Sequence, residues 1–169
     1  MSTSVVVNTY THSVTYVADN IQRTLKNILV LSGLDPGKLT SDWESTNRAL
    51  RTWIDSKHLE TIVLEISNAS GTSLIGRWDI EIAYGWEGGD GSSFWVDTDQ
   101  IKTAVRKAGV HPASCEYRLI CVNKPGRPAV SGWGSTTLLS TAGFTRQSLG
   151  GTVEHSGLGA STSYYRRSQ

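Results

Sequence analysis

Residues 73–84 restrict the fold of this chain most strongly, because apolar and charged side chains alternate along the run SLIGRWDIEIAY. Arg77, Asp79 and Glu81 lie on one face of this run. The residues of the other face are Leu74, Gly76, Trp78, Ile80 and Ile82. Such alternation predicts a strand with one buried face and one face in water. Residues 59–67, LETIVLEIS, predict a second strand, and the turn-forming cluster at 68–72 joins the two into an antiparallel hairpin.

Two helices are predicted before this hairpin. The first has apolar residues at three- and four-residue steps over residues 14–28, and Gly33 is placed to end it. The second begins at Ser41, where the hydroxyl group and the side chain of Glu44 have the spacing of a capping box. It is expected to end near residues 57–58.

A third helix is predicted from about residue 97 to residue 108, and residues 115–123 predict a further strand. No internal repeat or linker divides the 169 residues, a length that suits one domain. We therefore expect a single α+β domain, with an antiparallel sheet backed by about three helices over residues 11–130.

The composition changes at residue 131. Glycine, serine and threonine supply 21 of the last 39 residues, lysine is absent and Glu154 is the only acid. Aromatic and apolar residues are spread through this segment, so it is not typical of a disordered tail. We expect two or three short, weakly anchored strands with glycines at the turns between them.

Charge and cysteine spacing exclude several classes of protein. The 16 basic and 15 acidic residues nearly cancel, which disfavours electrostatic capture of nucleic acid or of an anionic membrane. No stretch approaches the roughly 20 apolar residues of a membrane helix, and the N-terminus lacks the pattern of a signal peptide. Cys115 and Cys121 would lie about 20 Å apart in one strand, too far for a disulfide. We expect a cytoplasmic protein.

Three functional alternatives follow from the residues. No motif for phosphate, dinucleotide or metal binding is present, and the four histidines form no ligand set with the two cysteines, so we expect no cofactor and no metal. One alternative to a binding module is a cryptic cysteine hydrolase that uses Cys115. A small nucleic-acid-binding module is the third, with Tyr164 and Tyr165 stacking on bases. Its cations would be Lys102, Arg106, Lys107, Arg118, Lys124, Arg127, Arg166 and Arg167.

Five segments together resemble a known family. They are YTHSVTYVADNI (10–21), GRWDIEIAYGW (76–86), GDGSSFWVDTDQI (89–101), KPGRP (124–128) and GGTVEHSGLGASTSYYRR (150–167). The sequence resembles, over essentially its whole length, the bacterial HORMA-domain proteins (family 1) that are encoded beside cyclic-oligonucleotide synthases in anti-phage (CBASS) operons. None of the five segments is a catalytic motif.

The resemblance implies a HORMA fold with a C-terminal safety belt of short strands at residues 131–169. In such a protein the belt wraps a short closure peptide, which adds a strand to the sheet. The closed form would bind and activate a cGAS/DncV-like cyclic-oligonucleotide synthase, and an AAA+ ATPase would reset it through the N-terminal arm, residues 1–10. The resemblance thus implies a non-enzymatic adaptor, without membrane or direct nucleic-acid binding.

It also implies two sets of functional residues. Those of the belt would anchor the belt itself or the captured peptide: Trp133, Phe144, Leu149, Val153, His155, Tyr164 and Tyr165. Those of the arm would engage the ATPase: Ser2, Thr3, Ser4, Val5, Val6 and Val7.

Overall fold

The computed structural model describes residues 9–86 and 94–168. The elements in chain order are α1 (Tyr10–Leu31), α2 (Gly37–Ser41), α3 (Trp43–Asp55), β1 (Leu59–Ser67), β2 (Leu74–Tyr84), β3 (Phe94–Val96), α4 (Thr98–Ala108), β4 (Glu116–Asn123), β5 (Phe144–His155) and β6 (Leu158–Arg167). The α+β class expected from the sequence is confirmed. The N-terminal arm lies outside the described residues up to residue 8, and Thr9 caps α1 by accepting a hydrogen bond from the His12 backbone N–H.

The described strands form one antiparallel sheet in the order β3-β5-β6-β2-β1-β4. The hairpin β1–β2 is antiparallel as expected, and its register places Leu64 opposite Trp78. The two last strands of the chain are inserted between β3 and β2, and β4 forms the opposite end of the sheet.

The helices cover one face of this sheet. Apolar residues of α1 at three- and four-residue steps, including Ile21, Leu25 and Ile28, are fully buried against the strands and α3. Trp53 of α3 and Trp78 of β2 are the largest fully buried side chains among the described residues. We call this the helical face of the sheet, and the opposite one the second face.

The expected capping box at Ser41 and Glu44 is wrong. Ser41 is the last residue of α2, and α3 begins two positions later at Trp43. Asp42 is the N-cap of α3 and makes no side-chain capping hydrogen bond. The short helix α2 accounts for the difference, because it already contains the serine that the motif required as a non-helical cap.

The second face of the hairpin was expected to lie in water. At the centre of this face, that expectation is wrong. Asp79 is 5% exposed and Glu65, on the neighbouring strand, is 1% exposed. The alternation itself is correct, because both residues point away from the helical face. A remote part of the chain covers this face, which the local pattern could not show. The guanidinium of Arg77 binds the Asp79 carboxylate through two hydrogen bonds of 2.7 and 3.0 Å.

The C-terminal segment holds two strands that are neither short nor weakly anchored. β5 has 12 residues and β6 has 10. β6 pairs with β2 on one side and with β5 on the other, and most of its residues are buried. Gly143 and Gly157 lie at turns, and Gly150 and Gly151 lie at register shifts of β5, but Gly159 lies inside β6. Backbone pairing on both sides of β6 compensates for the scarcity of large side chains.

The turn between β5 and β6 depends on Gly157. Ser156 and Gly157 both have positive φ angles, 54° and 91°, as a two-residue hairpin loop requires. A Cβ atom added at Gly157 would lie 1.9 Å from the carbonyl oxygen of Gly85. The turn is therefore pressed against the end of β2, and only glycine fits there.

We expect Gly157→Ala to lower the free energy of unfolding by about 2–4 kcal/mol, the sum of left-handed backbone strain and steric overlap. Gly71→Ala is the matched control, because Gly71 also has a positive φ of 72° but has no atom within 4 Å of an added Cβ. Urea denaturation of both variants measures the difference. Equal losses in the two variants would contradict the close contact between the turn and Gly85.

Candidate functional site

The outer side of β4 is an exposed edge of the sheet. β4 pairs with β1, from Ser67 opposite Glu116 to Leu59 opposite Asn123, and no strand among the described residues pairs with its other side. Its side chains alternate, so that Leu119 and Cys121 pack on the core of the helical face while Arg118 and Ile120 point to the second face. An unpaired edge presents backbone N–H and C=O groups on which another strand can form.

Residues 124–143, which we call the connecting segment, link β4 to β5 and contain no helix or strand. Their first part lies on the helical face. The indole N–H of Trp53 donates to the Pro128 carbonyl at 2.7 Å, and the Trp133 ring meets the Trp53 ring edge-to-face at 5.5 Å. Val130 is buried in the same core.

The middle of the connecting segment is bound to the second face. Arg118 donates to the Glu65 carboxylate at 2.6 Å, and the same guanidinium donates to the Thr136 hydroxyl at 3.0 Å and to the Thr137 carbonyl at 2.6 Å. The Leu139 N–H donates to the second Glu65 oxygen at 2.7 Å. The connecting segment therefore passes from one face of the sheet to the other around the edge of β4.

Two cavities lie between this edge and the connecting segment, and Leu119, Trp133 and Gly134 line both of them. One, of about 340 Å³, extends along the C-terminal half of β4 and contains Lys124 and Arg127. The other, of about 500 Å³, lies towards α2 and Tyr117. This edge has free backbone groups, and a cavity lies on either side of Trp133. Such a site suits an extended peptide, because the backbone of the peptide can pair with β4 while the side chains of the peptide enter the cavities.

Trp133 is the one belt residue predicted from the sequence that the structure places at this edge. The other six lie in the hairpin β5–β6. Val153 and Tyr164 are buried in the core, and Tyr164 stacks on Trp78 with ring centres 4.9 Å apart. Tyr165 points to the second face, where the guanidinium of Arg77 lies 4.8 Å from its ring centre.

The remaining three also hold the hairpin. The Leu149 carbonyl accepts a hydrogen bond from the Gln100 side chain, and the Arg167 guanidinium lies 5.0 Å from the centre of the Phe144 ring. His155 is buried, and its Nδ1 lies 2.8 Å from the Ser13 hydroxyl, which also accepts from the Trp86 indole. Burial and the neighbouring His12 lower the pKa of His155, so the neutral imidazole is favoured in this contact.

The geometry of Cys115 offers no support for a cysteine hydrolase. Burial raises the pKa of its thiol, and no hydrogen bond joins the thiol to a histidine within residues 9–86 and 94–168. The thiol form is therefore favoured over the nucleophilic thiolate. In the same described ranges, no group of three or more His, Cys, Asp or Glu side chains could hold a metal ion.

The cations proposed for a nucleic-acid-binding module do not form one surface with an aromatic platform. Tyr164 is 3% exposed, so it cannot stack on a base. Arg118 is bound to Glu65. Lys124 and Arg127 line the first cavity at the β4 edge. A separate cavity near His111 is lined by Lys107, Arg166 and Arg167. None of the described helices is both long and apolar enough to cross a bilayer.

Sequence reasoning missed the residues that shape the edge. Arg118 was named only among the cations of a nucleic-acid-binding module, and Glu65, Leu119 and Asn123 were not singled out. One signal was available for Glu65, since it interrupts the apolar run of residues 62–66, and a charge in that position requires a partner. Which strand becomes the free edge depends on pairings between distant segments and leaves no local pattern.

The comparison with family models agrees with this architecture. The model described as Bacterial HORMA domain 2 matches residues 2–168. The chain therefore belongs to the bacterial HORMA-domain family. The resemblance stated from the sequence is confirmed, and its subgroup is corrected from family 1 to the model numbered 2. Comparison with curated proteins gave no significant match.

Solved structures share the fold at low sequence identity. A chain of the crystal structure of the mitotic checkpoint complex aligns with a TM-score of 0.69 and 12% identity, covering 90% of this chain and 99% of the other. Caenorhabditis elegans HTP-2 bound to the HIM-3 closure motif gives 0.59 and 14%, covering 92% and 88%. The Escherichia coli MS115-1 CdnC:HORMA-deltaN complex gives 0.56 and 6%, covering 99% and 94%. These likenesses establish the HORMA fold.

We expect Arg118→Met to lower the free energy of unfolding by about 2 kcal/mol, because it leaves the Glu65 carboxylate buried with one hydrogen bond instead of two. Arg23→Met is the matched control, because Arg23 forms a surface ion pair with Asp19 one helical turn away, and its loss should cost less than about 0.5 kcal/mol. Urea denaturation compares the two. A loss in Arg118→Met no larger than in the control would show that the connecting segment is not held by this ion pair.

Proposed function

We propose that this protein is a non-enzymatic signalling adaptor that captures a short extended peptide as an added strand on β4. The observation that carries the proposal is the free outer edge of β4, which faces the connecting segment across two cavities. Main-chain hydrogen bonds to β4 would supply affinity, and alternate side chains in the cavities would supply specificity. The connecting segment would then enclose the peptide as a belt.

The position of the C-terminal hairpin supports this proposal. β5 and β6 lie beyond β2, at the other end of the sheet from β4, so they do not occupy the outer edge of β4. The chain is therefore arranged as a peptide-binding form would be. The HORMA protein HTP-2 is bound to a closure motif in a structure with the same fold, which supports the same kind of ligand here.

We divide the seven belt residues by role on the basis of their contacts. Trp133 would contact the peptide, because it lines both cavities. The other six would hold the hairpin against the sheet and α1, because each contacts residues of this chain away from the β4 edge.

We expect Trp133→Ala to weaken peptide binding at least about tenfold, since a buried tryptophan at the centre of an interface typically contributes more than 1.4 kcal/mol. Trp95→Ala is the matched control, because Trp95 is 43% exposed and lies on β3, at the opposite end of the sheet. Peptides selected from a displayed library against the full chain, then measured by fluorescence anisotropy, provide the test. Equal weakening by both variants would contradict a site at the β4 edge.

We further propose that the peptide-bound form binds and activates a cyclic-oligonucleotide synthase of the cGAS/DncV-like type in anti-phage defence, in the cytoplasm. The CdnC:HORMA-deltaN complex supports this partner, because its HORMA chain has the same fold and belongs to a bacterium. Membership of the bacterial HORMA family supports it independently.

An AAA+ ATPase is the proposed resetting partner, and residues 2–7 of the arm are the proposed point of engagement. Moving a two-state equilibrium from 1:99 to 99:1 requires about 5.5 kcal/mol of differential binding, so a peptide that closes the domain firmly also makes release slow. Energy from ATP hydrolysis would reverse such a closure.

We expect the selected peptide to increase product formation by the synthase from the same operon when the wild-type chain or Trp95→Ala is present. Trp133→Ala should need at least about tenfold more peptide than the wild type for half-maximal product formation. Truncation at residue 130 would not test this link, because it would remove β6 from between two strands. Chromatography of the labelled reaction products measures the effect. Full activation by Trp133→Ala without peptide would separate activation from capture and refute the link between them.

A further inference from the structure

The cavity at the C-terminal half of β4 carries two positive charges and no negative one. Its lining includes Lys124 and Arg127 and no aspartate or glutamate. Neither of these cations lies within 4.0 Å of a carboxylate among the residues that the structure describes. The neighbouring cavity differs, because there Lys38 is accompanied by Asp42.

Each of these two cations lies over an aromatic ring. The guanidinium carbon of Arg127 lies 5.0 Å from the centre of the Trp53 ring, and the Lys124 ammonium lies 5.9 Å from that of Tyr84. Trp53 is fixed in turn by its burial and by its hydrogen bond to Pro128. The cations are therefore positioned before a ligand arrives, which reduces the entropy lost on binding.

We propose that the peptide captured on β4 carries an aspartate or glutamate side chain that binds Lys124 and Arg127. This inference rests on the proposed peptide capture and names the chemistry of the peptide. An apolar side chain two or four residues away would lie on the same side of the added strand and enter the second cavity. A peptide fits better than an oligonucleotide, because the edge of β4 offers backbone groups that only another backbone strand can pair with.

The test uses the full chain and peptides of about ten residues that are N-acetylated and C-amidated, so that a chosen side chain is the only carboxylate. The peptides come from library selection, which should show an acid at one fixed position. The Glu form should bind about tenfold tighter than the matched Gln form, a difference of about 1.4 kcal/mol. In the Arg127→Gln and Lys124→Gln variants, the preference for the Glu peptide over the Gln peptide should fall below about threefold. Each variant should bind the Gln peptide as the wild type does, which shows that the variant is folded.

Arg146→Gln is the matched control and should keep the full preference, because Arg146 pairs with Glu81 on another part of the sheet. Equal binding of the Glu and Gln peptides would refute the acidic anchor while leaving peptide capture intact. A preference that survives in both variants, or binding only of peptides with a free C-terminal carboxylate, would also refute it. Displacement of the peptide by a single-stranded oligonucleotide at equal concentration would assign the cations to nucleic acid. Failure to select any peptide would refute the proposed capture itself.

Discussion

The buried carboxylate of Glu65 is the constraint on which the path of the chain around the sheet depends. A carboxylate that is 1% exposed is strongly destabilising unless its oxygens are bound, and here Arg118 and the Leu139 N–H bind them. Because the same guanidinium also holds Thr136 and Thr137, the connecting segment is tied to the second face of the sheet. The pairing of one charge thus determines which edge the segment passes around.

The second constraint is the position of β6. Its pairing with both β2 and β5 uses its backbone groups fully and places the C-terminal hairpin at the far end of the sheet from β4. Sheet edges are usually covered or shortened, because they can pair with other chains. Here the connecting segment lies beside the edge of β4 without pairing to it, so the edge stays available under partial cover. That combination is what makes a selective peptide site physically possible.

Local patterns predicted much of this fold. The alternation at 73–84 and the helical periodicity at 14–28 each correspond to an observed element, because burial on one face leaves a fixed period in the sequence. Local patterns failed at two positions. Asp79 was expected in water and is buried, and Ser41 was expected as a cap and lies inside α2. The aromatic residues of the last 39 positions were grouped by composition, yet Trp133 and Tyr164 have different surroundings.

The sequence by itself determined the elements, the α+β class and, through its resemblance, the HORMA family, because these depend on periodicity and on motifs that are contiguous along the chain. Only the tertiary structure decided that β4 is the free edge and that Trp133, Asn123, Lys124 and Arg127 meet beside it. The physical reason is that an edge is defined by the pairings a strand lacks. Those pairings are settled by the burial of Glu65 and by the insertion of β6, which involve residues far apart in the chain.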